Sequence, residues 1–520
     1  MPKLWIDNLE VEVPEGATIL DAAEELGIDV PTLCHLPGHD PSTSCMCCLV
    51  RVGEAKGFVP SCATAAAEGM RVESSSPDVL HARRTSLELL LSDDLGDCMG
   101  PCQCICPAGM DIPGMIRQIA AGDLAGAVAT VKDHIALPAV LGRICPAPCE
   151  KGCRRGAHDD PVAIMLLKRF VADADLASGD PYRPECGPAT GKRVAIVGAG
   201  PAGLAGAYYL LRAGHACTLL DDHDAPGGML RQAVSQTKLP WSVLEPEIET
   251  IIGLGVELRL KTRVGTDVSL TDLRADFDAV LVAVGELGKS DAKALGLKAA
   301  KDRLVADTRT FQLGLPGVFA AGDAIRRRRL TVQAVADGRG AAASIGQFLL
   351  GREVTGPRRP FNTRIGKLDE AEVQAFLVGA SPSPRMQPDA PEGPLVDRQA
   401  GDESARCLHC DCRKPVACKL RTCADLYAAK ASRYRGERRR VVIETAHPEV
   451  IFEPGKCIDC GLCVQIAAKA GEELGLTFIG RGFDVRVAVP FGEGIPQGLR
   501  TTAARCADAC PTGALVAKDA

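Results

Sequence analysis

Lys192-Arg193-Val194-Ala195-Ile196-Val197-Gly198-Ala199-Gly200-Pro201-Ala202-Gly203 is a short apolar run that ends in a glycine-rich turn. A helical segment, Leu204–Ala213, follows and stops at Gly214, and a second apolar run, Ala216–Leu220, ends in Asp221. Strand, glycine turn, helix, strand and acid, with the acid about twenty residues on, is the order that holds a dinucleotide pyrophosphate. The glycines let backbone approach the phosphates at the helix N-terminus, and Asp221 is placed to accept from ribose hydroxyls. This stretch predicts a Rossmann-like α/β domain over 190–355, with Gly198, Gly200, Pro201, Ala202, Gly203 and Asp221 binding the nucleotide.

Outside that domain the chain is organised by cysteine: 24 of its 520 residues. The segment MPKLWIDNLEVEVPEG shows neither the basic nor the apolar region of a secretion signal. No apolar stretch reaches bilayer length. A cytoplasmic setting without a membrane span is therefore expected, in which clustered thiols bind metal rather than pair with one another. A net charge of −6 and an aromatic content of 4% give no support to nucleic acid as a partner. A chain of this length predicts roughly three to five domains.

Residues 1–85 form the first of these. Lys3 to Val13 reads as strand, turn and strand, and Thr18 as the cap of a helix Ile19–Leu26. Cys34, Cys45, Cys48 and Cys62 follow with the spacing C-x10-C-x2-C-x13-C, which suits the two irons of a [2Fe–2S] cluster. The segment, together with Gly69-Met70-Arg71-Val72, resembles the N-terminal ferredoxin domain of the large iron–sulfur subunit of respiratory complex I and of iron-only hydrogenases, which implies a β-grasp-type fold. A structural zinc site is the alternative. Cys47 reads as a buried small hydrophobe.

Residues 86–185 carry two further cysteine groups, Cys98-x3-Cys102-x-Cys104-x-Cys106 and Cys145-x3-Cys149-x3-Cys153, separated by a helical stretch from Gly114 to Val131. This resembles the N-terminal domain of the glutamate synthase small subunit and of dihydropyrimidine dehydrogenase. The resemblance implies a helical domain with two [4Fe–4S] clusters, one using Cys98, Cys102 and Cys153, the other Cys106, Cys145 and Cys149. Eight ligands are needed and six are evident. Cys104, Asp94 and Asp97 are the candidates for the gap, and Lys168 stands where dihydropyrimidine dehydrogenase has a non-cysteine ligand.

Downstream of the glycine turn, Val318-Phe319-Ala320-Ala321-Gly322-Asp323 and Thr331-Val332-Gln333-Ala334 resemble the second flavin signature of two-dinucleotide-fold reductases. That implies FAD, with Gly322 and Asp323 at the ribityl chain and Gln333 and Ala334 at a helix end aimed at the flavin ring. Gly227-Gly228-Met229-Leu230 also matches the glutamate synthase small subunit and adds Gly228. In that family a second glycine-rich unit for NADPH sits between the two signatures. No such loop appears between Val280 and Asp323. Arg326–Arg329 reads either as a solvated loop or as a docking patch for an acidic ferredoxin or partner subunit.

Residues 356–404 are rich in Pro, Ser and charge and read as a linker. In 405–435, Cys407, Cys410, Cys412 and Cys418 fit one [4Fe–4S] cluster, with zinc as the alternative. In 436–520, Cys457-x2-Cys460-x2-Cys463 and Cys510 resemble a bacterial ferredoxin reduced to one [4Fe–4S] cluster, with Ala467 where the second cluster's cysteine would stand and Cys506 spare. About three to four [4Fe–4S] clusters are thus expected overall.

The sequence contains no nucleophile elbow and no paired acid–base carboxylates, and no catalytic residue is assigned. The combination predicts an electron-transfer subunit of a larger oxidoreductase. Its partner would be a nicotinamide/FMN subunit, a hydrogenase or formate dehydrogenase subunit, or a ferredoxin. The alternatives are a self-contained NAD(P)H reductase and a non-catalytic redox sensor or scaffold.

Overall fold

Leu4 and Ile6 are buried and alternate with the partly exposed Lys3 and Trp5, the pattern of a half-buried strand. In the computed structural model, which describes residues 1–53, 57–390 and 393–518, this strand pairs antiparallel with Leu9–Glu12 and parallel with Arg71–Glu73. Leu49–Val52 and Val59–Pro60 complete a mixed five-stranded sheet. The helix Ile19–Glu25 starts in a capping box: the Thr18 hydroxyl accepts from the Asp21 N–H, and the Asp21 carboxylate accepts from the Thr18 N–H.

Two units of chain are distinguished. The first comprises Met1–Gly100, Pro360–Gly379 and His409–Ala520; the second comprises Pro101–Arg359 and Ala380–Leu408. Besides the N-terminal sheet, the first unit contains the helix Pro77–Ser92, the helix Lys419–Leu426 and a ferredoxin-like end. In that end Val450–Phe452 pairs antiparallel with Leu515–Ala517, beside the helices Leu462–Ala470 and Ala503–Ala509.

The second unit is built on a five-stranded parallel sheet. Its order is Val318–Ala320, Ala279–Val282, Arg193–Val197, Ala216–Leu220, Glu257–Arg259. The helices Pro201–Arg212 and Thr331–Leu349 lie against each other at glycine distance: a Cβ on Gly338 would stand 2.2 Å from the Ala202 carbonyl oxygen. The helical stretch expected over Gly114–Val131 is two helices, Ile112–Ala120 and Leu124–Lys132. Gly122 turns left-handed between them and the Asp123 carboxylate caps the second through the Gly126 N–H at 2.8 Å. Glu247 holds this helical part to the sheet part, its two oxygens accepting from the Ala139 and Val140 N–H groups at 2.8 Å each.

Three expected boundaries are corrected. The segment 356–404 is not a bare linker: it contains the helices Glu370–Leu377 and Asp397–Ser404, and it is shared between the units, 360–379 going to the first and 380–404 to the second. Its composition misled because its polar residues are satisfied internally. Glu403 is fully buried and accepts from the Ala163 and Met386 N–H groups at 2.7 Å and from the Arg406 guanidinium at 2.9 Å. The 86–185 segment divides after Gly100, and the 405–435 segment after Leu408. Removing the Glu403 carboxylate leaves the Ala163 and Met386 N–H groups without that acceptor while Arg406 keeps Asp159 at 3.2 Å, so Glu403→Ala should lower stability by about 1–3 kcal/mol. Chemical denaturation should show an earlier midpoint for Glu403→Ala and a smaller change for Glu403→Gln.

Candidate electron-transfer centres

The glycine turn has the geometry of a phosphate cradle. Gly198 has φ +106°, and a Cβ there would lie 2.5 Å from the Ala283 carbonyl oxygen; one on Gly203 would lie 1.9 Å from the Gly198 oxygen. Gly200 has nothing within 4 Å on that side, which leaves room for a pyrophosphate. No side chain caps the helix that begins at Pro201, so its first N–H groups present to an anion. Gly228, at φ +51°, presses on Gly200, and a Cβ on Gly322 would stand 2.9 Å from that of Ala202. Asp221 accepts from the Ala199 N–H at 2.6 Å and from the His223 N–H at 2.9 Å, which fixes its carboxylate at the end of its strand. The Gln333 amide donates to Asp337 at 2.9 Å, and Ala334 is buried in the same turn. Burial raises the pKa of Asp337 while the Arg326 guanidinium, 3.0 Å away, pulls it down.

The arginine run is mostly engaged inside its own unit. Arg326 binds Asp337, Arg327 and Arg329 approach Glu286, and the Arg328 and Arg329 N–H groups donate to Asp323 at 3.1 Å each. Its charges hold the loop that carries Asp323, a role composition alone does not reveal. Among the described residues, the interval between the strands Ala279–Val282 and Val318–Ala320 holds one helix, Lys289–Ala294, and a hairpin of two-residue strands, with no second glycine cradle.

The cysteines of the N-terminal domain fall into pairs. The sulfurs of Cys34 and Cys45 are 3.4 Å apart, and those of Cys48 and Cys62 are also 3.4 Å apart. Among the described residues, no three cysteine sulfurs within a unit lie inside 4.8 Å of one another. One zinc ion would gather four sulfurs about 3.8 Å apart, so two separate pairs suit two irons, one per pair. The neighbouring Cys62 sulfur pulls the Cys48 thiol down, ahead of the opposing effect of burial. Cys47 sits in the core with its S–H directed to the Cys45 carbonyl at 3.4 Å.

At the ferredoxin-like end, Cys457, Cys460, Cys463 and Cys510 line one cavity of about 400 Å³ with Phe452 and Leu515. Burial pushes Cys460 up to about 12 and raises Cys457 and Cys463 well above the usual thiol range, so metal must displace protons there. Ala467 and Cys506 are packed in the hydrophobic core beside Leu499 and Ala503, which fills the place of a second cluster.

In the second unit, Cys106, Cys145 and Cys149 line a cavity of about 340 Å³ together with Lys168 and Val332. Burial pushes Cys149 up to about 12, and the charge of Lys168 opposes that rise. This cavity therefore has three thiols and a buried lysine facing it. Cys102, on the helix Pro101–Ile105, and Cys153, just past the helix Pro148–Lys151, lie in the same unit, where Ile105 rests on Gly152. Cys407 reaches that unit because Arg155 donates to the Arg406 carbonyl at 3.0 Å.

Cys98 lies in the first unit, where the segment 360–379 holds its loop: Ile365 N–H donates to Asp97 at 2.9 Å, and the Thr363 hydroxyl lies 3.4 Å from the Cys98 sulfur. Cys410, Cys412 and Cys418 belong to the same unit. Burial raises the pKa values of Cys98 and Cys412 and takes Cys418 up to about 12.

The comparisons with known proteins now have a geometry to meet. Residues 3–77 match the family of 2Fe-2S iron–sulfur cluster binding domains, residues 96–180 the family described as dihydropyrimidine dehydrogenase domain II, 4Fe-4S cluster, and residues 168–338 the pyridine nucleotide-disulphide oxidoreductases. The chain thus carries stretches that match iron–sulfur cluster-binding families and a pyridine-nucleotide oxidoreductase family. It is 42% identical to the NADP(+)-dependent formate dehydrogenase subunit beta of Moorella thermoacetica over 36% of this chain and 29% of that one. It is 39% identical to the NAD-dependent dihydropyrimidine dehydrogenase subunit PreT of Salmonella typhimurium over 36% and 45%, and 38% identical to the glutamate synthase [NADPH] small chain of Mycobacterium tuberculosis over 36% and 39%. The matches thus span less than half of each of these relatives. No helix among the described residues is long and apolar enough to cross a membrane.

Gly203→Ala drives a methyl into the Gly198 carbonyl, and the purified variant should lose its flavin absorbance band while keeping iron. Cys48→Ser and Cys62→Ser should each abolish the [2Fe–2S] EPR signal, which Cys47→Ser should leave in place.

Proposed function

We propose that the chain is an FAD- and iron–sulfur-containing electron-transfer subunit of a larger oxidoreductase. The observation that carries this reading is the adjacency of the predicted centres within each unit. In the first, Cys460 of the ferredoxin-like cavity is close enough to Cys34 and Cys45 for their charges to raise its pKa, and all three share one buried cluster of side chains. In the second, the cavity of Cys106, Cys145 and Cys149 is also lined by Val332, the neighbour in sequence of the flavin-site residue Gln333.

FAD, when bound, supplies two-electron exchange with hydride donors and one-electron exchange with iron–sulfur centres. The residues of the chain supply position and exclusion of water. Gly198, Gly200 and Gly203 would bring backbone to the pyrophosphate, and Asp221 and Asp323 would hold the ribose and ribityl hydroxyls. Cys34 with Cys45 and Cys48 with Cys62 would hold the two irons of the [2Fe–2S] cluster. Cys457, Cys460, Cys463 and Cys510 would hold a [4Fe–4S] cluster, and Cys106, Cys145 and Cys149 another. Cys98, Cys102, Cys153, Cys407, Cys410, Cys412 and Cys418 are the remaining thiols offered to clusters of this type.

The terminal chemistry is assigned to a partner, either a nicotinamide/FMN subunit, a hydrogenase or formate dehydrogenase subunit, or a ferredoxin. The small hairpin between the two flavin signatures supports that assignment, since it replaces a domain large enough to bind NADPH. The names of the relatives, which include NADP(+)-dependent and NADPH-linked proteins, keep a self-contained reductase as the second reading.

An anaerobic titration of the full chain with NADH and with NADPH, followed by visible absorbance and EPR, separates the two. The expected result is no reduction by either nucleotide, with dithionite revealing FAD, one [2Fe–2S] signal and several [4Fe–4S] signals. Bleaching of flavin and clusters by one nucleotide at catalytic rates would establish the reductase instead.

A further inference from the structure

Asp94, Cys98, Cys412 and Cys418 meet in the first unit, although more than three hundred residues separate Cys98 from Cys412. The Lys456 side chain ties the two walls together: a Cβ on Gly96 would lie 3.1 Å from Asp94 Oδ1 and 3.4 Å from Lys456, and one on Gly513 would lie 2.6 Å from the Cys412 sulfur and 3.8 Å from Lys456. The charges of Cys98 and Asp94 also act on Cys418, and that of Cys98 on Cys412. The loop that carries Asp94 and Cys98 is fixed on every side. Leu95 N–H donates to the Gly455 carbonyl at 2.8 Å, Gly96 N–H to Asp94 Oδ1 at 3.0 Å, and the Thr363 hydroxyl to the Gly96 carbonyl at 2.7 Å. Asp97, the other carboxylate in this loop, accepts from Ile365 N–H and points into that backbone.

The opposite wall is equally tight. The Cys418 sulfur accepts from the Arg421 N–H at 3.5 Å at the start of its helix, and a Cβ on Gly513 would stand 2.6 Å from the Cys412 sulfur, so Gly513 makes room for that side chain. Lys456 is buried beside the group. Its ammonium binds Glu453 at 2.7 Å and lies in the fields of Asp94 and Cys412, a positive charge opposite an anionic set.

We propose that these four residues hold one [4Fe–4S] cluster, with three thiolates and the Asp94 carboxylate as its protein ligands. Asp94, Cys412 and Cys418 lie outside all three matched family spans. A carboxylate carries the same charge as a thiolate but is a harder donor and gives less electron density to iron. Such a cluster has one iron unlike the other three, and its potential lies above that of its all-cysteine counterpart. The proposal rests on the reading of this chain as an iron–sulfur protein and not on the identity of its partner.

The test uses the full chain, purified anaerobically and reduced with dithionite, with iron per chain and EPR as readouts. Wild-type protein devoid of iron would overturn the iron–sulfur reading itself. With clusters present, Cys98→Ser, Cys412→Ser and Cys418→Ser should each remove the same EPR component, a component that Cys106→Ser and Cys410→Ser leave in place. Asp94→Ala should lose the unique iron and show, when oxidised, the signal of a three-iron cluster. Asp94→Cys should keep the full cluster and lower its potential, which guards against a variant that merely fails to fold. The proposal is overturned if Cys98→Ser removes a different component from Cys412→Ser and Cys418→Ser, or if Asp94→Ala changes neither iron content nor EPR.

Discussion

Thiol burial is the constraint on which the first unit depends. Its interior holds Cys34, Cys45, Cys47, Cys418, Cys423 and Cys460 packed with Leu33, Leu87 and Leu91, and none of these sulfurs is in a disulfide. A core built this way is held at the positions where metal would sit. Burial pushes up Cys418, Cys423 and Cys460, so a thiol of this kind must give up its proton as metal arrives, and binding free energy then adds to folding free energy. The second unit relies less on such sites, because its parallel sheet and the glycine-close packing of two long helices form a continuous apolar core around Val194–Val197 and Val280–Val282.

Local motifs were legible in the sequence and long-range groupings were not. The dinucleotide turn, the capped helix after Thr18, the paired cysteines at 34–62 and the single surviving ferredoxin-type site all depend on residues close together in the chain, where spacing sets geometry. Cys98 and Cys102, grouped by spacing, stand on either side of Gly100, where the chain passes from one unit to the other. No spacing rule reports that Thr363 and Ile365 hold the Cys98 loop from a segment that reads as a linker. The signal available in the sequence is a shortfall: six ligands are evident where eight are needed, with the carboxylates of Asp94 and Asp97 close by.

Charge is the other place where composition says little. Arg326–Arg329, open in the sequence between a solvated loop and a docking patch, and the stretch 433–440 are both rich in arginine. Much of their charge is instead spent inside the unit that carries them: Arg326 on Asp337, Arg329 on Glu286, Arg433 on Glu88 and Arg438 on Glu372. The Arg438 guanidinium holds Glu372 down to about 2, and with it the helix Glu370–Leu377. Runs of arginine beside a folded loop carrying Asp or Glu can be the frame of that loop.

The passage of the chain between units also orders events at birth. Cys98 leaves the ribosome long before Cys412, and at about 5–20 residues per second the interval is roughly a quarter of a minute to a minute. The whole of Pro101–Arg359, with its sheet and flavin turn, is made in that time and can close on itself. Cys98 meanwhile waits as a lone thiol, exposed to oxidants and to stray metal. Assembly of the proposed site of Asp94, Cys98, Cys412 and Cys418 must therefore come last, on a nearly finished chain, and a truncated product of translation would carry the glycine cradle without the cysteines of the first unit's C-terminal half.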